Sequence, residues 1–197
     1  AETLKQVGNA ERSVEYAVDC GLSLPNAITI LQEEDASWMV HPLPVGRSIL
    51  REMIREGSVE LAVENVGHFY LKDFFMTDSA VFSTALILLW ISKNGPLSTL
   101  ISKYPDGKRE QQFVQVPDNQ AEVTAKLEEA FTSTYGEGLR KIEVDGLRFE
   151  MMEGNQMVSW FATRKSGYEP IQKYFYGSLD EEEFKKLRKI VDTLLKG

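Results

Sequence analysis

The chain has 197 residues, enough for one large domain or two small ones, with 43% hydrophobic and 26% charged residues, ordinary proportions for a globular protein. A formal net charge of −8 excludes global attraction to nucleic acid or to an anionic membrane, so an anionic ligand needs a local basic pocket. One cysteine, Cys20, excludes an intrachain disulfide, fits a reducing cytoplasmic setting, and with only two histidines argues against a structural zinc site.

Taken in chain order, the start Ala1-Glu-Thr-Leu-Lys-Gln is polar and carries no signal peptide; lacking Met, it predicts a natural N-terminus upstream. Val14 to Val18 reads as a strand. Leu22 to Gln32 reads as a helix, with Ser23 as N-cap and Pro25 in its first turn. Trp38 to Val40 is a second strand and Arg47 to Arg55 a helix ended by Gly57. Val59 to Val63 is a third strand. Thr77 to Ser92 is a strongly apolar helix stopped by Asn94-Gly-Pro96. Its apolar run, Ala80 to Ile91, is too short to span a bilayer and reads as a buried helix. Leu97 to Ser102 is a short helix. Strands separated by helices predict an α/β domain of three layers with a mixed, largely parallel sheet over residues 1–104.

At Tyr104-Pro-Asp-Gly-Lys-Arg-Glu110 the pattern becomes turn-rich and charged, which reads as a linker. Beyond it come a strand (Gln112 to Val116), a helix (Gln120 to Thr132) and three strands (Arg140 to Val144, Leu147 to Met151, Met157 to Thr163). Asp145-Gly146 joins the first two of these as a hairpin turn. A strand from Ile171 to Tyr176 follows. The last helix, Asp180 to Leu195, has Ser178 as N-cap and three early glutamates that suit its dipole. The order β-α-β-β-β-β-α predicts an α+β domain, an antiparallel sheet backed by two helices, over residues 105–197.

Four segments carry recognisable chemistry. Arg164-Lys-Ser-Gly-Tyr-Glu-Pro170 sits between two strands as a tight exposed loop. An Arg forks two hydrogen bonds onto a phosphate, Ser adds a hydroxyl, and Gly allows successive N–H groups to converge on an anion. A polar β-turn with a solvated Arg explains the same residues. Val63-Glu-Asn-Val-Gly-His68 ends a strand, where α/β ligand sites lie. Its Glu64 can accept from neighbouring sugar hydroxyls; it can equally be a plain strand-end carboxylate, with His68 packed. Leu43-Pro-Val-Gly-Arg-Ser-Ile-Leu-Arg51 places Arg47 at a helix start with free N–H groups; an exposed first-turn Arg is the alternative. Tyr16-Ala-Val-Asp-Cys-Gly21 ends a strand with Asp19, which also reads as a solvated turn carboxylate.

These segments resemble the α-D-phosphohexomutases (phosphomannomutase and phosphoglucomutase) along almost the whole chain, as that family's third and fourth domains. The loop at 164–170 is similar to the family's Arg-x-Ser-(Gly/Asn)-Thr-Glu-Pro phosphate signature. Val144-Asp-Gly-Leu-Arg-Phe149 and Trp160 match the run-up to it. Val63–His68 resembles the Gly-Glu-x-Ser-Gly-His sugar loop, followed by Asp78 opening the apolar helix. The resemblance implies a fourth domain of TATA-binding-protein-like fold, and a third domain lacking its first helix. It implies substrate binding by Glu64, Arg47, His68 and Gly67, and phosphate binding by Arg164, Ser166, Gly167 and Tyr168. The partner it implies is a hexose phosphate.

Four positions depart from the family's pattern: Asp19 for lysine, Arg47 for histidine, Val66 for serine and Tyr168 for threonine. The phosphoserine loop (Ser-His-Asn-Pro type) and the magnesium loop (Asp-Gly-Asp-Gly-Asp-Arg type) do not occur in this sequence. The resemblance therefore implies no catalytic residue and no metal ligand in this chain. It places the expected Mg²⁺ in another domain, and makes the chain a fragment or separate partner of a larger mutase, prone to self-association. A non-catalytic phosphosugar-binding or protein-interaction module with a degenerate pocket is the alternative. Nucleic acid and membrane are not expected partners.

Overall fold

The computed structural model describes residues 15–19, 39–43, 46–57, 59, 61–64, 67–102, 107–116, 120–144, 146–154, 156–167 and 169–196, the two N-terminal strands by their backbone alone. The expected helix at Leu22–Gln32 lies outside these residues. The described residues fall into two compact units, one up to Ser102 and one from Gly107 onward.

The first unit contains strands β1 (Glu15–Asp19) and β2 (Met39–Leu43), helix α1 (Arg47–Arg55), strands β3 (Leu61–Val63), β4 (Phe69–Leu71) and β5 (Thr77–Asp78), and helices α2 (Ala80–Asn94) and α3 (Leu97–Ile101). The sheet order is β2-β1-β3-β4-β5. It is mixed: β1 pairs with β2 and β3 in parallel, then β3–β4 and β4–β5 run antiparallel. Parallel pairing thus covers half of these strand pairs rather than most, because the chain turns back after Glu64 in a hairpin. Leu50 and Ile54, one helical turn apart on α1, bury against Val59, Ala62 and Tyr70 to form the core.

Three expectations are corrected here. Strands β4 and β5 were not expected, being only three and two residues long. The apolar helix starts at Ala80, not Thr77: Thr77 and Asp78 pair with β4, and Ser79 caps the helix by accepting from Phe82 N (3.2 Å). Nor is α2 a buried helix in the described structure. Val81 is 83% exposed and Leu88 59%, and Ser83 is its one buried residue.

The second unit runs β6 (Lys108–Gln115), α4 (Gln120–Tyr135), a 3₁₀ turn (Gly136–Gly138), β7 (Leu139–Glu143), β8 (Leu147–Glu153), β9 (Gln156–Lys165), β10 (Ile171–Ser178) and α5 (Glu181–Lys196). Its sheet is antiparallel throughout, ordered β6-β10-β9-β8-β7. Alternate residues of β8, β9 and β10 (Phe149, Phe161, Tyr174 and Tyr176 among them) bury against Leu127 and Phe131 of α4 and Leu187 and Val191 of α5. On the intervening positions, Met157, Trp160, Ala162 and Phe175 form a second cluster. Within that alternate set Glu150, 2% exposed, accepts from Arg148 Nε (2.7 Å) and Arg140 Nε (2.6 Å), and the Arg148 guanidinium lies 5.2 Å from the Trp160 ring.

Lys108-Arg-Glu110, expected in the linker, instead belongs to β6, paired with Tyr176–Ser178. An edge strand with one exposed face tolerates such a polar run, which hides it from a pattern search. The cap of α5 is Asp180, whose Oδ1 accepts from Glu182 N (2.9 Å) and Glu183 N (2.8 Å), rather than Ser178. Ser178 Oγ accepts from Asp180 N and donates to the Val158 carbonyl, fastening the chain to the sheet just before the helix.

Candidate functional site

The sugar-loop segment forms the turn between β3 and β4. Two backbone bonds close it: Glu64 N donates to the His68 carbonyl (2.9 Å), and Gly67 N to the Glu64 carbonyl (3.0 Å). Gly67 has φ +87°, a left-handed conformation that glycine adopts without strain. The turn fixes the directions in which Glu64 and His68 leave the sheet. Asn65 and Val66 lie outside the described residues.

Glu64 is buried, and its Oε2 accepts a hydrogen bond from the Tyr70 hydroxyl at 3.0 Å. The exposed guanidinium of Arg47, the first residue of α1, interacts electrostatically with the same hydroxyl. Burial raises the Tyr70 phenol above its ordinary value; Glu64 adds to the rise and Arg47 opposes it. The phenol therefore stays protonated, able to donate to one neighbour while accepting from the other. His68 Nδ1 sits 2.6 Å from Asp78 Oδ2, and its ring centroid is 6.5 Å from that of Tyr70. A carboxylate on Nδ1 orients the imidazole and leaves Nε2 as its outward functional atom. Three residues expected from sequence, Arg47, Glu64 and His68, are thus brought together, with Gly67 shaping their loop.

Two members of this cluster, Tyr70 and the anchoring role of Asp78, escape a reading of the sequence. Tyr70 sits in an unexpected strand and Asp78 was assigned to a helix start. The backbone of Asp19 ends β1 opposite Leu43. Its side chain lies outside the description.

In the second unit, Arg164 is near the end of β9, across from Lys173 of β10. The loop after it is closed by Ser166 N donating to the Ile171 carbonyl (2.9 Å) and Ile171 N to the Glu169 carbonyl (2.8 Å). Val116 N holds the Pro170 carbonyl (3.0 Å). Ser166 is buried, while Lys165, Gly167, Glu169 and Pro170 around it are exposed. Gly167 does not lie in the left-handed region, and a Cβ on it would meet nothing within 4 Å. The chain bends at Gly167 without a left-handed backbone, and open space lies where a side chain would be. Tyr168 lies outside the described residues.

Beside the start of the loop is a polar cavity of about 460 Å³. Arg164 and Lys165 line one side of it, Gln120 and Glu128 of α4 another, and Lys141 a third. Lys141 is held by Glu128 (2.7 Å) and Glu143 (2.9 Å), and these carboxylates raise its ammonium above the ordinary value. A chain of side-chain bonds, Gln120 to Gln172 and Gln172 to Thr163 (both 2.7 Å), closes its floor. Gly146 fixes the β7–β8 turn against this strand: a Cβ there would lie 2.2 Å from the Thr163 carbonyl oxygen. Among the described residues no group of three His, Cys, Asp or Glu side chains could hold a metal ion, and no helix is long and apolar enough to cross a membrane.

Residues 28–106 match the profile of phosphoglucomutase/phosphomannomutase, alpha/beta/alpha domain III. The chain is 27% identical over 181 residues to a protein named probable phosphoglucosamine mutase from Thermococcus kodakarensis, covering 91% of this chain and 38% of that protein. It thus spans about two-fifths of the length of the curated relatives it matches. Among solved structures, a phosphoglucomutase/phosphomannomutase family protein from Burkholderia thailandensis superposes with a TM-score of 0.77 at 18% identity, over 98% of this chain and 40% of that one. An Aspergillus fumigatus N-acetylphosphoglucosamine mutase in complex with glucose 1,6-bisphosphate does so with a TM-score of 0.62 at 11% identity, over 94% and 39%. The segments singled out above lie within this shared fold: residues 28–106 match the phosphoglucomutase/phosphomannomutase domain III, and the chain as a whole is similar in sequence and fold to α-D-phosphohexomutases.

Proposed function

We propose that this chain is the phosphosugar-recognition part of a phosphohexomutase-type intramolecular phosphotransferase. The first unit, taken as residues 1–104 with the three-layer α/β fold, holds the sugar through Glu64, Arg47 and His68, on a loop shaped by Gly67. The second, residues 105–197 with the TATA-binding-protein-like fold, holds the phosphate through Arg164, Ser166, Gly167 and Tyr168. The observation that carries the reading is the convergence on one buried phenol of Arg47, from the start of α1, with Glu64 and His68, from the β3–β4 turn. Relatives named as phosphoglucosamine mutases, and a structural neighbour that binds glucose 1,6-bisphosphate, support a hexose or hexosamine phosphate as the ligand.

The described residues do not supply the ligand cluster a Mg²⁺ ion needs, so no step through the metal is derived for this chain. Phosphoryl transfer, with the phosphoserine and Mg²⁺ it requires, belongs in this proposal to other domains of the mutase, which associate with this chain in the cytoplasm. The exposed apolar residues of α2 and α3, Val81, Leu88 and Ile101 among them, support such an association. The reading is tested by calorimetric titration with glucose 6-phosphate, mannose 6-phosphate, their 1-phosphates and glucosamine 6-phosphate. Saturable binding that Arg164→Ala abolishes is the expected result. Absence of binding by the folded chain to all of them would favour the alternative, an interaction module whose pocket has lost phosphosugars through the departures at Asp19, Arg47, Val66 and Tyr168.

A further inference from the structure

We propose that Tyr70 is a positioning residue: its hydroxyl locks Glu64 and Arg47 into a single acceptor–donor unit that reads two adjacent hydroxyls of the sugar. The inference rests on the reading of Glu64 and Arg47 as sugar-binding groups, and it concerns a residue that carries none of the sequence resemblance.

The polarity of the relay is fixed by chemistry. The hydroxyl donates to Glu64 Oε2, and a guanidinium only donates, so what the hydroxyl offers Arg47 is its lone pairs. Its position is fixed by packing. The Tyr70 side chain is fully buried, in the cluster of Leu50, Ile54, Val59 and Ala62. The hydroxyl is therefore held by the core, while Arg47 above it is exposed. With Oε2 engaged, Oε1 is the carboxylate oxygen assigned to a ligand hydroxyl. The remaining guanidinium N–H groups are assigned to the oxygen of the neighbouring hydroxyl. An acceptor and a donor held side by side match a vicinal diol, in which one hydroxyl gives a proton and the next receives one. Remove the phenol oxygen, and the attraction between Arg47 and Glu64 remains without it. A direct ion pair between them then competes with the sugar.

Tyr70→Phe keeps the buried ring and deletes the relay. The unaltered chain is expected to bind glucose 6-phosphate about three- to tenfold more tightly than its 3-deoxy or 4-deoxy analogue, the range for one lost hydrogen bond. In Tyr70→Phe the parent sugar should weaken by about the same factor and the discrimination should vanish, with inorganic phosphate affinity unchanged. Retained discrimination, alongside a lowered melting temperature, would show that Tyr70 only fills the core and would overturn the proposal. If the unaltered chain binds no hexose phosphate, the functional reading fails but the relay is still read without ligand. NMR exchange of the Arg47 guanidinium protons with water should be several-fold faster in Tyr70→Phe, and unchanged rates would overturn it.

Discussion

At Gly146 the backbone has φ +122°, and an added Cβ would lie 2.2 Å from the Thr163 carbonyl oxygen, 2.9 Å from Arg164 Cβ and 3.1 Å from Arg164 Cα. Gly146→Ala therefore forces the β7–β8 turn and the end of β9 apart, at the residue that leads into the phosphate loop. Two costs add. A side chain in this backbone conformation costs about 1–3 kcal/mol. Displacing a carbonyl and a backbone Cα, neither of which can swing aside, costs about 1–3 kcal/mol more, as overpacking does. Together they make about 2–6 kcal/mol, and 3 kcal/mol already lowers the melting temperature of a unit of this size by roughly 12–24 °C. Gly154→Ala is the control, because Gly154 also has positive φ (+61°) but a Cβ there meets nothing within 4 Å. It should lose only the conformational part, about 1 kcal/mol. Thermal unfolding read by Trp160 fluorescence, with Trp38 and Trp90 replaced by Phe, isolates the second unit. Equal losses in the two variants would refute the steric argument. Calorimetry on Gly146→Ala below its transition should also show weaker phosphate binding, because Arg164 must shift.

Gly167→Ala meets no neighbour and needs no left-handed backbone, so its melting temperature should stay within about 2 °C of the parent while phosphosugar affinity falls, if the open space is for ligand. Glu150→Leu removes the carboxylate beside the buried Arg148 cation and should cost about 3–5 kcal/mol by denaturant titration, whereas Arg148→Met with Glu150→Leu should recover most of that loss. Burial raises the phenols of Tyr135 and Tyr176 above their unfolded value. A raised folded value means that their contribution is fully present below about pH 10 and is lost as pH rises beyond it, so melts should decline from there and decline less in Tyr135→Phe. Replacing Val81 and Leu88 with Ser should reduce self-association in sedimentation without lowering the melting temperature, since both are largely exposed.

The second unit was nearly transparent to sequence because each element there has its own signal. Its strands alternate, Asp145-Gly146 marks a turn, and the glutamates at 181–183 mark a helix start. What failed was local chemistry with equal claims in two places. Ser178 and Asp180 can each cap a helix, and only the observed bonds to Glu182 N and Glu183 N decide for Asp180. The first unit was harder. Strands of two and three residues, β5 and β4, leave no periodicity to count. An apolar run such as Ala80–Ile91 says that something must cover it, but not whether the described residues do so.

The same difference explains how the candidate site could be read residue by residue and still be incomplete. Arg47 and Glu64 were singled out because each sits at a place where backbone geometry favours a ligand, a helix start and a strand end. Tyr70 occupies neither. Its ring obeys the rule for buried strand positions, and so the sequence presents it as core. Only the fold shows that one end of this core residue reaches the charged pair. Where the family pattern has histidine, Arg47 then reads, on the proposal above, as half of a matched arrangement with Glu64 about the Tyr70 phenol. If the two residues form one device, returning Arg47 to His should weaken binding in the presence of Tyr70 and have less effect in Tyr70→Phe. A four-way calorimetric comparison measures that coupling directly. Additive effects across the four proteins would mean that Arg47 and Tyr70 act independently, and that the departure at position 47 has a cause outside this cluster.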